Sequence, residues 1–191
     1  RGGIGTVFRN KKLRALVVKY SGLDVASNNP ADLPALQTTG LKLHREIVEL
    51  DDQQCRMREI GTAHLTEIMN EYDLLPTHNF KYGSHPDAVK IDSHHFSAMV
   101  THGLPDGCWY GCTLACAKAA DGFELLTGPY AGDRVTVDGP EYETAAGLGS
   151  NCGVFDVDWI LECNFYCDTY GVDTISYGTC CAFAMECFQR G

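Results

Sequence analysis

Gly107-Cys108-Trp109-Tyr110-Gly111-Cys112-Thr113-Leu114-Ala115-Cys116 puts three thiols into nine residues, spaced C-x3-C-x3-C. Gly103, Pro105 and Gly107 precede or open the stretch, and residues 115–120 continue it as a helix-favouring run. A helical reading sets Cys112 and Cys116 four apart, on one face and one turn from each other. Cys108 then stands one further turn back, at the loop side. Three converging thiolates suit a soft metal ion or an iron–sulfur cluster. A fourth ligand has to come from outside this run.

The rest of the chain supports a folded domain around that stretch. Its 191 residues are enough for one sizeable core, and 45% hydrophobic with 21% charged residues is ordinary globular composition. The net charge of -10 disfavours nucleic acid and anionic membranes as partners. No apolar run is long enough to span a bilayer, and no secretory signal opens the chain. Ten cysteines in a chain of this length, without that signal, fit metal-bound thiols in a reducing compartment better than a disulfide scaffold. The chain starts without Met, directly in Arg1-Gly2-Gly3-Ile4-Gly5, and reads as the middle of a longer protein.

Residues 1–6 form a glycine-rich loop, and residues 13–20 (Leu-Arg-Ala-Leu-Val-Val-Lys-Tyr) read as a short buried strand. Between them Arg9, Lys11, Lys12 and Arg14 make the densest basic cluster. Glycine-loop amides with nearby cations can hold an anion, although a tight turn beside a solvated basic face explains the same pattern. Asn29-Pro30 predicts a helix start. Leu36, Leu43, Ile47 and Leu50, then Leu65, Ile68, Met69 and Tyr72, predict helices on either side of Gly61-Thr62, with Thr62 as a cap. Cys55 reads as a small buried hydrophobe, and His94-His95 as structural rather than ligating. Residues 122–138 read as a loop or hairpin with a strand at Val135-Thr136-Val137. A helix with acidic residues in its first turn follows Gly139-Pro140. Asp156 caps a helix from Val157 to about Tyr170 that Gly171 stops, and Asp173 to Ser176 cap a last helix at 179–189.

Several separated motifs then agree in order. They are Arg1-Gly2-Gly3-Ile4-Gly5, Leu74-Leu75-Pro76-Thr77-His78-Asn79-Phe80, the Cys108 to Cys116 triplet and Pro140-Glu141-Tyr142-Glu143-Thr144. Leu148-Gly149-Ser150-Asn151-Cys152-Gly153, Tyr170-Gly171-Val172-Asp173-Thr174-Ile175-Ser176 and Ala182-Phe183-Ala184-Met185-Glu186 complete the set. In this order the chain resembles the central part of the tungsten-containing aldehyde:ferredoxin oxidoreductase family.

The resemblance implies a mostly α chain, the helical domain of an aldehyde ferredoxin oxidoreductase-like protein, with a short β segment near the N-terminus. Residues 1–25 would end an N-terminal β-rich pterin-binding domain. Residues 26–191 would form the helical central domain carrying the cysteines, with the C-terminal domain outside this chain. The implied cofactors are a 4Fe–4S cluster, a tungsten (or molybdenum) bis-pyranopterin and a Mg ion bridging pterin phosphates. The implied activity is oxidation of an aldehyde to a carboxylic acid in the cytoplasm, with electrons passed to ferredoxin or an iron–sulfur partner subunit. Whether the protein is a homo-oligomer stays open.

Matched position by position, the resemblance makes Cys108, Cys112 and Cys116 cluster ligands. It puts Arg1, Gly2 and Gly3 at the pterin, and reads Asp168-Thr169-Tyr170-Gly171-Val172-Asp173 as the D-x-x-G-x-D pterin turn, with Asp168, Gly171 and Asp173 as its binding residues. It selects Glu143 over Glu141 as the catalytic general base, in keeping with the proton acceptor that aldehyde oxidation needs. One departure is the first spacing, since the family pattern is C-x2-C-x3-C; the fourth thiolate would come from the absent domain. Glu162 and Cys163 stay unassigned. The rival readings are a relative reducing carboxylic acids or aromatic acyl-thioesters, and a zinc-stabilised module using the three cysteines with His102. Disulfide use of the thiols is the third.

Overall fold

The computed structural model describes residues 2–19, 30–54, 56–101, 107–108 and 111–191. Arg1, Tyr20, Asn29, Cys55, His102, Trp109 and Tyr110 lie outside the described residues, and with them the expectations placed on Arg1, Cys55 and His102. Eight α-helices are described: α1 (Ile4–Asn10), α2 (Leu33–Glu49), α3 (Met57–Ile60), α4 (Leu65–Glu71), α5 (Ser93–Met99), α6 (Tyr142–Leu148), α7 (Val157–Tyr170) and α8 (Thr174–Arg190). Two strands, β1 (Ala119–Glu124) and β2 (Arg134–Asp138), pair antiparallel with an irregularity between Ala120 and Phe123. The mostly α expectation holds, and none of the described helices is long and apolar enough to cross a membrane.

The helix ends follow local chemistry. The Asp156 carboxylate accepts from Trp159 N at 3.1 Å to start α7, and Gly171, at φ 68°, ends it in the left-handed conformation that glycine adopts cheaply. Asp173 starts α8 by accepting from Ser176 N at 2.9 Å. That helix begins at Thr174, about a turn before the expected start. α2 is capped by Asp32 rather than by the Asn29-Pro30 pair, with Pro34 in its first turn.

Three further expectations fail. Residues 1–6 are expected as a loop, but α1 starts at Ile4, so that among the described residues of this stretch only Gly2 and Gly3 form a turn. Residues 13–19 form neither helix nor strand, and Leu16, Val17 and Val18 are 76–85% exposed. A strand needs a neighbour to satisfy its backbone, and neither described strand pairs with this segment. The run at 115–120, expected to be helical, instead leads into β1, so the sheet sits in mid-chain.

The core lies around α6 and α7. Ala145, Leu148 and Ile160 pack with Ala63, Ile91 and Phe96, while Leu161 packs under the hairpin with Ala120, Phe123, Leu125 and Val137. By contrast, α2 buries none of its residues, and Leu36, Leu41 and Leu43 stay at least half exposed.

Candidate active site

The first turn of α6 is where the sequence-predicted residues meet. Tyr142 N donates to Thr62 Oγ1 at 2.9 Å, and the Thr62 hydroxyl donates to the Glu141 carboxylate. Thr62 therefore closes the start of α6 rather than capping its own segment, which shows no side-chain cap bond. Next along α6, Glu143 is exposed to solvent. The neighbouring Thr144 hydroxyl shares a buried 2.8 Å hydrogen bond with that of Thr174, the first residue of α8. One side of α6 is thus tied to the Gly61-Thr62 turn and the other to the 168–173 turn.

The cysteine loop lies on the first of these sides. Cys108 is exposed, and Cys112 and Cys116 are half-buried. The loop is not helical, for physical reasons visible in its partners. Ala115 is left-handed at φ 46°, Arg58 Nη1 donates to Thr113 O, and Lys118 Nζ donates to Ala115 O and Ala117 O, each at 3.0 Å. His44 Nδ1 on α2 is 3.2 Å from Thr113 Oγ1. A Cβ placed on Gly107 would sit 3.2 Å from Cys112 Sγ, so chain and thiol are in contact there.

Burial, and then the Glu141 carboxylate, push the Cys116 thiol up, with Cys108 and Cys112 adding to the effect. The three thiols are therefore electrostatic neighbours. Among the described residues, no three His, Cys, Asp or Glu side chains are gathered tightly enough to hold one metal ion. None of the nine described cysteines is in a disulfide.

On the other side of α6, two motifs 170 residues apart become one surface. Gly2 N donates to Asp173 Oδ1 at 3.0 Å, and Gly3 lies against the same aspartate. Gly5 and Gly171 touch backbone to backbone: a Cβ on Gly5 would be 2.5 Å from Gly171 Cα. No other residue type permits that approach. Beside it opens a cleft of about 730 Å³ lined by Phe8, Arg9, Lys12 and Arg14 on one wall and Asp168 and Thr169 on the other. Both oxygens of Asp173 take up protein donors: Oδ1 accepts from Gly2, and Oδ2 accepts from Ser176 N and from Ser176 Oγ at 2.7 Å.

Three other motifs converge at the far end of α6, around a cleft of about 450 Å³. His78, Asn79 and Phe80 are all left-handed, at φ 49–60°. Their amides are held by Ser150 O (3.0 Å), Asn151 O (2.7 Å) and Asn151 Oδ1 (2.9 Å), and Asn79 Nδ2 donates to Glu186 at 2.6 Å. Sequence reasoning missed Lys118 and the bridging role of Thr62. A lone Lys after a cysteine and a Thr after a glycine carry no signal until the loop is folded.

Residues 38–191 match the family described as "Aldehyde ferredoxin oxidoreductase, domains 2 & 3". The whole chain aligns with a tungsten-containing aldehyde ferredoxin oxidoreductase of Pyrococcus horikoshii at 32% identity, and with one of Pyrococcus furiosus, also at 32%. A second Pyrococcus furiosus protein, named as an aliphatic sulfonate oxidoreductase, WOR-like subunit, is 27% identical over the full chain. The chain spans 29% of the length of the two aldehyde ferredoxin oxidoreductases and 28% of that of the sulfonate protein.

Proposed function

Because the chain belongs to the aldehyde ferredoxin oxidoreductase family, we propose that it is the part of an oxidoreductase whose residues around α6 would hold an iron–sulfur cluster and a pterin-bound metal. The observation that carries this reading is the convergence on one helix. The cysteine loop packs on Gly61, whose neighbour Thr62 bonds Glu141 and Tyr142 N at the start of α6, and the Gly2–Asp173 turn leads into Thr174, which bonds Thr144 of α6.

The donor set suits these groups by its chemistry: thiolates are the ligands of iron–sulfur clusters, and although among the described residues no three side chains gather around a single ion, Cys108 and Cys112 both act on the Cys116 thiol. The three cysteines would bind three corners of a 4Fe–4S cluster, with a fourth thiolate from outside this chain. Beside the Gly2–Gly3 turn, whose Gly2 amide Asp173 already takes, Arg9, Lys12 and Arg14 across the cleft from Asp168 suit the phosphates of a pyranopterin, and Asp168 suits its NH groups and Mg ion. Asp173 serves the site by fixing Gly2 and the start of α8. A tungsten or molybdenum bis-pyranopterin, when bound, supplies the two-electron sink and the cluster a one-electron exit. Residues 1–25 are assigned to a preceding β-rich domain and 26–191 to the central helical domain. The exposed, unpaired residues 13–19 support that division, since they have the composition of a strand that lacks its sheet.

The reaction assigned is aldehyde plus water to carboxylic acid, releasing two protons and two electrons. Glu143, exposed on the first turn of α6, takes the proton from the attacking water or hydrated aldehyde. The electrons leave singly to ferredoxin or an iron–sulfur subunit. The relative named as a sulfonate oxidoreductase supports a second reading in which the same machinery serves another substrate. The test is the full-length holoenzyme containing this chain, assayed for aldehyde-dependent reduction of a viologen dye. Glu143→Gln lowers kcat by ~100- to 10,000-fold with tungsten and iron contents unchanged. Zinc in place of iron and tungsten in the wild-type protein would sink the assignment.

A further inference from the structure

Lys118 is an unusual residue for its position. Its side chain is 9% exposed, and lysine is seldom buried without partners. Its ammonium is pinned by two backbone carbonyls of the cysteine loop, Ala115 O and Ala117 O, at 3.0 Å each. The fold makes room for it. Gly61 adopts φ 88°, and a Cβ there would lie 2.9 Å from Lys118 Cγ and 3.1 Å from Cys116 O. Burial works against the charged form of Lys118, whereas Cys116, Glu141 and Asp51 favour it and Arg58 opposes it. Glu141 likewise acts on Cys116 itself. Lys118, bound to the carbonyls of the residues before and after Cys116, and Glu141, held by Thr62 next to Gly61, are thus both fixed close to that cysteine.

We propose that Lys118 is an electrostatic positioning residue that raises the reduction potential of the cluster held through Cys116, with Glu141 as the opposing charge. The inference rests on the iron–sulfur reading above. Reducing the cluster by one electron, drawn from the aldehyde and passed on to a one-electron acceptor protein, makes it more negative by one unit. A cation that cannot swing away stabilises that reduced form, and an anion disfavours it. Net charge and burial are among the main determinants of such potentials. A surface lysine is screened by water and salt; a buried one is screened much less.

The experiment is an EPR-monitored redox titration of the full-length holoenzyme, with iron quantified in every variant. Lys118→Met keeps the length of the side chain and removes the charge, and its cluster potential shifts negative. Lys118→Arg keeps the charge and stays close to wild type. Glu141→Gln shifts the potential the other way. An iron-replete Lys118→Met enzyme with the wild-type potential overturns the proposal. Should Lys118→Met fail to retain iron, Glu141→Gln decides: a positive shift supports the opposing-charge arrangement and an unmoved potential overturns it. A wild-type enzyme without iron defeats the underlying cluster reading instead, and metal analysis alone shows that outcome.

Discussion

Six of the nine described cysteines form two sets with different surroundings. Cys108, Cys112 and Cys116 sit on a loop whose backbone is held by Arg58 and Lys118, with His44 against the Thr113 hydroxyl and Glu141 alongside. Cys152, Cys163 and Cys167 sit instead where α6, α7 and α8 pack together. Burial pushes Cys163 up to about 12 and Cys152 and Cys167 up to about 11. Cys163 also packs against the cluster of Ala145, Leu148 and Ile160. A thiol is a ligand only as a thiolate, and the helical set is surrounded by groups that oppose that charge. In the loop set burial and Glu141 raise Cys116 as well, but there a cation, Lys118, and polar backbone lie close by. Spacing alone does not separate the two sets, since Cys163 and Cys167 share the i, i+4 relation once expected for Cys112 and Cys116. Their surroundings do.

The largest expected effect tests that division directly. In the full-length holoenzyme, Cys116→Ser removes a cluster ligand. Iron content falls, and the aldehyde-dependent rate drops by more than ~100-fold, beyond the loss typical of groups that only support a ligand. Cys163→Ser, at a site equally rich in thiols, leaves the iron in place. Equal iron loss in both variants would erase the distinction.

How far the chain was legible follows the same line between local and distant chemistry. Asp156, Gly171 and Asp173 announce their helix ends because each cap is satisfied within three or four residues. The strand at Val135–Val137 is legible for a similar reason, as alternating β-branched residues beside a turn. The cysteine loop was misread as a helix because its shape is set from far away, by Arg58 reaching Thr113 O and by Gly61 opening space for Lys118. Residues 13–19 have strand composition, but their pairing partner is not supplied by the described residues. The meeting of Gly5 with Gly171 was equally hidden: two glycine motifs signal close approach without saying to what.

A middle-sized effect concerns pH. Cys163 has a folded value of about 12 against an ordinary 9.0, so the folded state keeps its proton where the unfolded chain has released it. Stability from this group is complete below about pH 9 and is lost as pH rises towards about 12. The urea midpoint falls through that window, and Cys163→Ala flattens the fall. The same shift keeps Cys163 almost wholly protonated at pH 8, so its alkylation in the folded protein is much slower than that of an ordinary cysteine. Alkylation at the rate of a free thiol would contradict the packing described.

The smallest effect is expected at Cys152, and it bears most closely on where the fourth cluster ligand comes from. Cys152 lies in one of the conspicuous motifs, Leu148 to Gly153, so a sequence reader could recruit it as the missing ligand. In the fold its Sγ–H points at Gly147 O and Gly178 O, 3.4 and 3.5 Å away, inside the contact where α6 and α8 cross. That crossing is so close that a Cβ on Gly178 would lie 2.6 Å from the carbonyl group of Gly147. The thiol therefore fills a gap and makes weak sulfur hydrogen bonds at the opposite end of α6 from Glu143. Cys152→Ala is expected to cost about 1 kcal/mol in unfolding free energy and to leave iron content unchanged. Loss of iron on this substitution would move Cys152 into the ligand set and remove the need for a thiolate from outside the chain. A purely thermal effect keeps the loop cysteines as the three ligands this chain provides.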